Sequence, residues 1–244
     1  MNPADWPNIP PGYTLRLCAG DAFATACKAG ADGAGDGLLL WVDRQDRCEA
    51  ALLLRPLDPV QAALTLGYVG LLGLHDGLAA IAPAETPANV SWPDRLLVND
   101  ACVGGIQVAH GPLVDKQGMA DVPDWLVIGL TVQMLPLDEN DDRPGADLVY
   151  TNLHEEGCGE VTVARLVESF SRHALHWLDR WQEDGFEPVR KAFLHDLDDK
   201  ALKIEANGDA WHEEGGVKRW HALRDALRQP SWTLPEPTSA VQSS

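Results

Sequence analysis

Basic residues are scarce in this chain of 244: 19 Lys and Arg stand against 37 Asp and Glu, a formal charge of -18 at pH 7. Gripping a phosphate backbone irrespective of sequence needs cations clustered on one face, so this balance excludes nucleic acid as a partner. Cysteine offers little more. Cys18, Cys27, Cys48, Cys102 and Cys158 are odd in number, scattered and without a C-x-x-C pair, which excludes a zinc site and a disulfide framework and predicts reduced thiols in the cytoplasm. The stretch 1–12 is Pro-rich and polar and lacks the basic-then-apolar pattern of an export signal. The longest apolar stretch, 62–82, is broken by Thr65, Gly67, Gly70, Gly73 and the His75-Asp76-Gly77 cluster, so it reads as a buried core helix and no membrane partner is expected. No internal repeat is present.

What remains is 45% hydrophobic and 23% charged, enough for one good-sized core with a small appendage. Residues 13–19 read as a first strand, and Gly20-Asp21 cap a helix over 22–31. The glycines between Gly30 and Gly37 imitate a phosphate loop. A dinucleotide fingerprint follows a strand and opens a helix, whereas this stretch closes a helix and precedes a strand, so it is read as a loop. Two apolar runs, 38–42 and 50–54, flank a charged turn, and Pro56, Asp58 and Pro59 introduce a helix over 59–82. Strands over 95–98 and 103–109 flank Asn99-Asp100, a dipeptide suited to the positive φ of a tight turn. A strand over 125–132 is followed by an acidic loop, 138–145, expected to face solvent and move.

From Thr162 the apolar period becomes helical: Val163, Leu166, Val167, Phe170, Ala174, Leu175, Trp177, Leu178 and Trp181 share a face. Gly185 ends that helix and Pro188 starts a shorter one to Leu194. The domain expected over 1–195 is α+β, a mixed and mainly antiparallel sheet with packed helices. A small C-terminal module spans 196–230, with a hairpin over 201–213 and a helix over 217–227. Residues 231–244 are expected to form a disordered tail.

The stretch Ser91-Trp92-Pro93-Asp94-Arg95 to Gly104-Gly105-Ile106 resembles the Lys-Trp-Pro-Asn-Asp strand, turn and Gly-Gly-Ile strand of the biotin and lipoate protein ligases. Val127 to Gln133 is similar to that superfamily's Ile-Gly-x-Gly-x-Asn strand, and Gly185-Phe186 with Pro188 and Val189 to its Gly-Phe segment. The resemblance covers about 13–194 and implies the fold shared with class II aminoacyl-tRNA synthetases. It also implies activation of a small carboxylic acid (biotin, lipoate or octanoate) with ATP and Mg²⁺, and transfer to a lysine of a carrier protein. Pairing of sheet edges into a homodimer is compatible with it.

On that resemblance Ser91, Trp92, Gly104 and Gly105 shape the acid pocket, Asp94 holds Mg²⁺, Arg95 contacts phosphate and Gln133 meets the nucleotide. The departures fall where charge is needed. The superfamily's Gly- and Arg-rich loop has shrunk to 43–49, three acids against Arg44 and Arg47, and its two motif lysines are Ser91 and Cys102; Arg44 and Arg47 are the ligand-binding candidates of this loop and, with Arg95, the cations that stand in part for those lost. A preorganised cation at developing phosphate charge is worth ~3 to 4 kcal/mol, so these losses together cost on the order of 10⁴ to 10⁶ in rate.

Three readings stay open: a divergent acid-activating ligase, a Cys-dependent acyltransferase with Cys102 as nucleophile, and a non-catalytic descendant that binds a small acid or a partner. The second requires a lowered thiol pKa supplied by Arg95, His110 or His75. All three require a groove joining Trp92, Cys102 and Gln133. His173 and His176 lack a third ligand and read as a wet helix face, so no metal site is assigned. His154-Glu155-Glu156-Gly157-Cys158 reads as the loop before a capped helix. Trp177, Trp181, Trp211, Trp220 and Trp232 are expected to pack the C-terminal module onto the domain.

Overall fold

The computed structural model describes residues 6–136 and 150–232. The expected acidic loop at 138–145 lies outside them. Strand β1 (Thr14–Cys18) leads into helix α1 (Ala22–Ala31), whose N-cap Asp21 accepts the Ala24 N–H at 2.9 Å. A hairpin follows, β2 (Leu38–Val42) and β3 (Arg47–Leu54). The helix expected over 59–82 is two pieces, α2 (Val60–Leu64) and α3 (Leu66–Ala79), parted at Thr65, whose hydroxyl donates to the Ala62 carbonyl at 2.6 Å. The span Val60–Ala79 is long and apolar enough to cross a membrane, yet 83% of its most apolar 18-residue window is buried inside the protein.

Strands β4 (Ala88–Ser91), β5 (Arg95–Val98), β6 (Ala101–His110), β7 (Leu113–Lys116), β8 (Met119–Pro123) and β9 (Leu126–Gln133) come next, then α4 (Val163–Asp184) and α5 (Phe186–Asp196). Seven strands form one sheet in the order β1-β2-β3-β9-β6-β5-β4, with only the β1–β2 pair parallel. Alternation divides the sheet into two faces. Ala50, Leu52 and Leu54 of β3 join Ile106, Leu130, Val132 and the helices α3 to α5 in the main core, while Ala51 and Leu53 turn to α1. Helix α4 buries Val163, Leu166, Val167, Phe170, Ala174 and Leu178, the i, i+3, i+4 spacing of one stripe. It lies close on α3, where a Cβ at Gly73 would sit 2.8 Å from the Ala174 Cα.

The C-terminal module is a three-stranded sheet, β10 (Lys203–Ile204), β11 (Ala210–Glu214) and β12 (Val217–His221), with a short α6 (Leu223–Ala226). The expected helix over 217–227 is therefore corrected at its start. Gly215 and Gly216, at φ 60° and 79°, make a two-residue turn that pairs β12 with β11. The tryptophans act differently from expectation. Trp177 and Trp181 donate to Asp76 and Thr65 within the main domain, both at 2.8 Å, while Trp211 and Trp220 meet at a tilt of 42° inside the module. The module is held by Tyr68, whose hydroxyl donates to the Gly208 carbonyl at 2.5 Å, and by Trp92 against His221.

Candidate ligand site

Helix α1 covers only part of its sheet face. Beyond it a cavity of about 530 Å³ opens, lined by Gly20, Asp21, Arg44, Arg47, Glu49, Gln107 and Thr131 among others. Its position follows from register: Arg47 pairs with Gln133 and Glu49 with Thr131 across β3–β9, so alternate side chains from both strands face the same side as α1. Of these residues the sequence reading names Arg44 and Arg47. It misses Gln107, Thr131 and Glu49, whose only signal is the alternation that puts them on one face.

The charges in this cavity are paired internally. Arg44 donates from Nε to Asp46 Oδ1 at 2.8 Å and from a terminal nitrogen to Glu49 at 3.2 Å, and Arg47 lies 2.5 Å from the same Glu49 carboxylate. The hydrogen bond to Asp46 raises the Arg44 pKa, and the same bond holds Asp46 below the usual carboxylate range. These groups are part-exposed, so each pair is worth only about 0 to 1 kcal/mol. Both guanidinium groups can exchange partners.

The motif hairpin borders this cavity. Asn99 and Asp100 take φ 49° and 67° at its tip, as the dipeptide predicts. Pairing slips by one residue between Leu96 and Leu97, so that Leu96 faces Gly104 and Leu97 faces Cys102. Gly104 has φ +145°, and a Cβ there would run into the Thr131 carbonyl oxygen. The Trp92–Pro93 peptide is cis.

Asp94 and Arg95 turn to a segment expected to be disordered. The Asp94 carboxylate, with no solvent exposure, accepts the Ser231 N–H at 2.8 Å and the Ser231 hydroxyl. Arg95 donates to the Ser231 hydroxyl at 2.9 Å and to its carbonyl at 2.6 Å. Burial raises the Asp94 pKa, and the Ser231 donors and the Arg95 charge offset it only in part. Trp232, 5% exposed, donates to the Ile106 carbonyl at 2.7 Å and packs with Leu97 and Cys102. Residues 231 and 232 are thus anchored, correcting the start of the expected tail.

Among the described residues, no groove joins Trp92, Cys102 and Gln133. Trp92 lies half-buried on the other side, donating to the Tyr68 hydroxyl at 2.7 Å. Cys102 is 1% exposed, packed with Leu97, Trp232 and Tyr150, and its thiol points to the Gly104 carbonyl at 3.4 Å. Burial raises its pKa, more than the neighbouring Arg95 lowers it. Gln133 is 2% exposed and donates to the Leu135 carbonyl at 2.7 Å. Ser91 is half-buried in β4, opposite Arg95. A second cavity, about 720 Å³, opens between Trp6, Trp41, Arg44 and the start of α4, and none of Ser91, Trp92, Cys102 and Gln133 lines either cavity.

His75, Asp76 and Asp196 also come together, with ligand-type atoms within 4.8 Å of one another. Both ring nitrogens of His75 are engaged, Nδ1 with Asp76 at 2.9 Å and Nε2 with the Ala88 carbonyl at 3.1 Å. The cluster joins α3 to α5 through His75, which lies 3.8 Å from the Asp196 carboxylate.

Solved structures share this architecture. A biotin protein ligase-like protein of unknown function from Silicibacter sp. TM1040 superposes with a TM-score of 0.79 at 27% identity, covering 91% of this chain and 99% of that one. The biotin protein ligase of Aquifex aeolicus gives 0.66 at 15% identity over 85% and 95%, and it has also been solved in complex with biotin and ATP. The fold is that of the biotin protein ligases. In sequence, a biotin–[acetyl-CoA-carboxylase] ligase of Paracoccus denitrificans is 29% identical over 159 residues, 63% of this chain, so the chain spans about 62% of that relative's length. Residues 9–195 match the model of the biotin/lipoate A/B protein ligase family, and the chain belongs to that family.

Proposed function

We propose that this chain binds a small carboxylic acid of the biotin or lipoate class in the cavity on the open sheet face, as a ligase-type protein whose adenylation is altered or lost. One observation carries the reading: Arg44, Arg47, Gln107 and Thr131 meet around a single cavity of about 530 Å³. That volume lies within the span of about 300 to 1,000 Å³ common to small-molecule sites. A carboxylate matches the planar fork of a guanidinium, and the amide and hydroxyl supply neutral hydrogen bonds. Asp46 and Glu49 compete for the same arginines, so an incoming acid has to displace them and its affinity falls with salt. Biotin is the first acid to test, since the Paracoccus relative is a biotin ligase.

ATP, which the Aquifex relative binds, would need the same displacement. With Arg95 held by Ser231, the Asp94 carboxylate covered, and Arg44 and Arg47 paired with acids, no charge is free for phosphate or Mg²⁺ until those pairs open. This favours a second reading, an acid-binding protein without ligase activity. The Cys102 acyltransferase loses support because a buried thiol with a raised pKa is a poor nucleophile. Transfer to a carrier-protein lysine, pairing of two copies and residence in the reducing cytoplasm belong to the ligase reading.

The test is a thermal-shift screen of biotin, lipoate and octanoate, each with and without ATP and Mg²⁺, alongside acid-dependent ATP–pyrophosphate exchange. Binding at 100 times Kd adds about 2.7 kcal/mol of stability. Stabilisation by an acid with exchange selects the ligase, stabilisation without exchange selects the binder, and no stabilisation by any of the three acids refutes both.

A further inference from the structure

Asp94 and Arg95, at the start of β5, where Arg95 pairs with Gly105, are taken by the chain's own C-terminal segment. Ser231 satisfies Asp94 and Arg95 together, and the Trp232 indole lies on Gly105, where an added Cβ would sit 2.7 Å from the ring. Gly105 pairs with Thr131 across β6–β9, and Gln107 follows it on the same face roughly 7 Å along the strand. Thr131 and Gln107 both line the cavity assigned to the acid. The indole therefore covers the sheet immediately beside that cavity.

The chemistry of the contact is that of a bound ligand. A buried carboxylate receives two donors, a guanidinium receives two acceptors, and an aromatic ring lies against Gly105 beside the Asp94 carbonyl, its N–H spent on the Ile106 carbonyl. These contacts join positions 136 and 137 residues apart. A segment whose removal would leave Asp94 and Arg95 hydrated and facing the cavity competes with anything that reaches for the same groups.

Resting on the acid-binding reading above, we propose that Ser231-Trp232 is an intramolecular plug that closes the hairpin side of the site and must leave before an acid bound in the cavity reaches Asp94, Arg95 and Gly105 with its far end. The site then has two states, one closed by the chain itself and one open to the whole of the bound acid. Any ligand that needs the second state binds with an apparent affinity reduced by the fraction of molecules that are open.

The experiment uses the full chain. Hydrogen exchange read by mass spectrometry follows the peptide containing Ser231 and Trp232 with and without saturating biotin, lipoate or octanoate, and calorimetric titration compares wild type with Trp232→Ala. The expected result is loss of protection in that peptide on adding an acid, and binding about tenfold or more tighter in Trp232→Ala. Equal binding with the segment still protected, or weaker binding in the variant, overturns the plug and leaves the acid site standing. Absence of binding in both proteins brings down the acid-binding reading and the plug with it. Should Trp232→Ala fail to fold, Ser231→Ala removes a single hydroxyl, and its expected gain is about threefold.

Discussion

The Asp94 carboxylate, wholly buried, takes both donors from one residue, Ser231, 137 positions further along the chain. A buried acceptor that loses a donor ordinarily costs about 1 to 3 kcal/mol. Here the segment can detach and water can reach Asp94, which limits the loss to the free energy of docking. Ser231→Ala should lower stability in urea denaturation by no more than about 1 to 2 kcal/mol. A larger loss would mean that Ser231 braces the whole fold.

Gly104 is held at φ +145° beside the Thr131 carbonyl. An alanine there meets both a disfavoured backbone region, worth about 1 to 3 kcal/mol, and a contact with main chain that has no room to retreat. Gly104→Ala should therefore cost about 2 kcal/mol or more in chemical denaturation. Unchanged stability would show that the hairpin bulge is free to shift.

Cys102 should be inert toward iodoacetamide in the native protein, because burial raises its pKa and Trp232 packs against it. Cys27, half-buried with its pKa pushed up to about 11, should react slowly. Mass mapping after brief labelling at neutral pH checks both. Rapid modification of Cys102 in wild type would revive the nucleophile reading.

His75 carries the pH dependence. Burial disfavours its charged form, but hydrogen bonds to Asp76 and to the Ala88 carbonyl, with the charge of Asp196, outweigh burial and raise its pKa above the ordinary 6.5. The folded state holds that proton more tightly, so the added stability is complete below about pH 6.5 and is lost as pH rises through the higher folded value. The Tm of wild type should fall across that window more than the Tm of His75→Gln. Parallel pH profiles would contradict the assignment.

Much of the frame was legible in the sequence, and the reasons are local. Asp21, Thr162 and Gly185 bound α1 and α4 through capping and positive φ, which neighbouring residues decide. Asn99-Asp100 announces its turn in the same way. What could not be read was set by distant pairing. Trp92 sits in the right motif yet turns to Tyr68, Gln107 and Thr131 become site residues only through the β6–β9 register, and β12 is strand where a helix is expected because Gly215-Gly216 turns it back onto β11. Ser231 and Trp232 follow Pro230 at the start of a polar stretch, and nothing near them signals a partner over a hundred residues away.

The most direct test of an acid site on the open sheet face is calorimetric titration of biotin, lipoate and octanoate into wild type and into Thr131→Trp, whose side chain would fill the cavity. At least one acid should bind wild type, with affinity falling about tenfold or more in the variant as the pocket's apolar and hydrogen-bonding surface is blocked. Equal affinity in the two proteins, or no heat from any of the acids, would contradict the account.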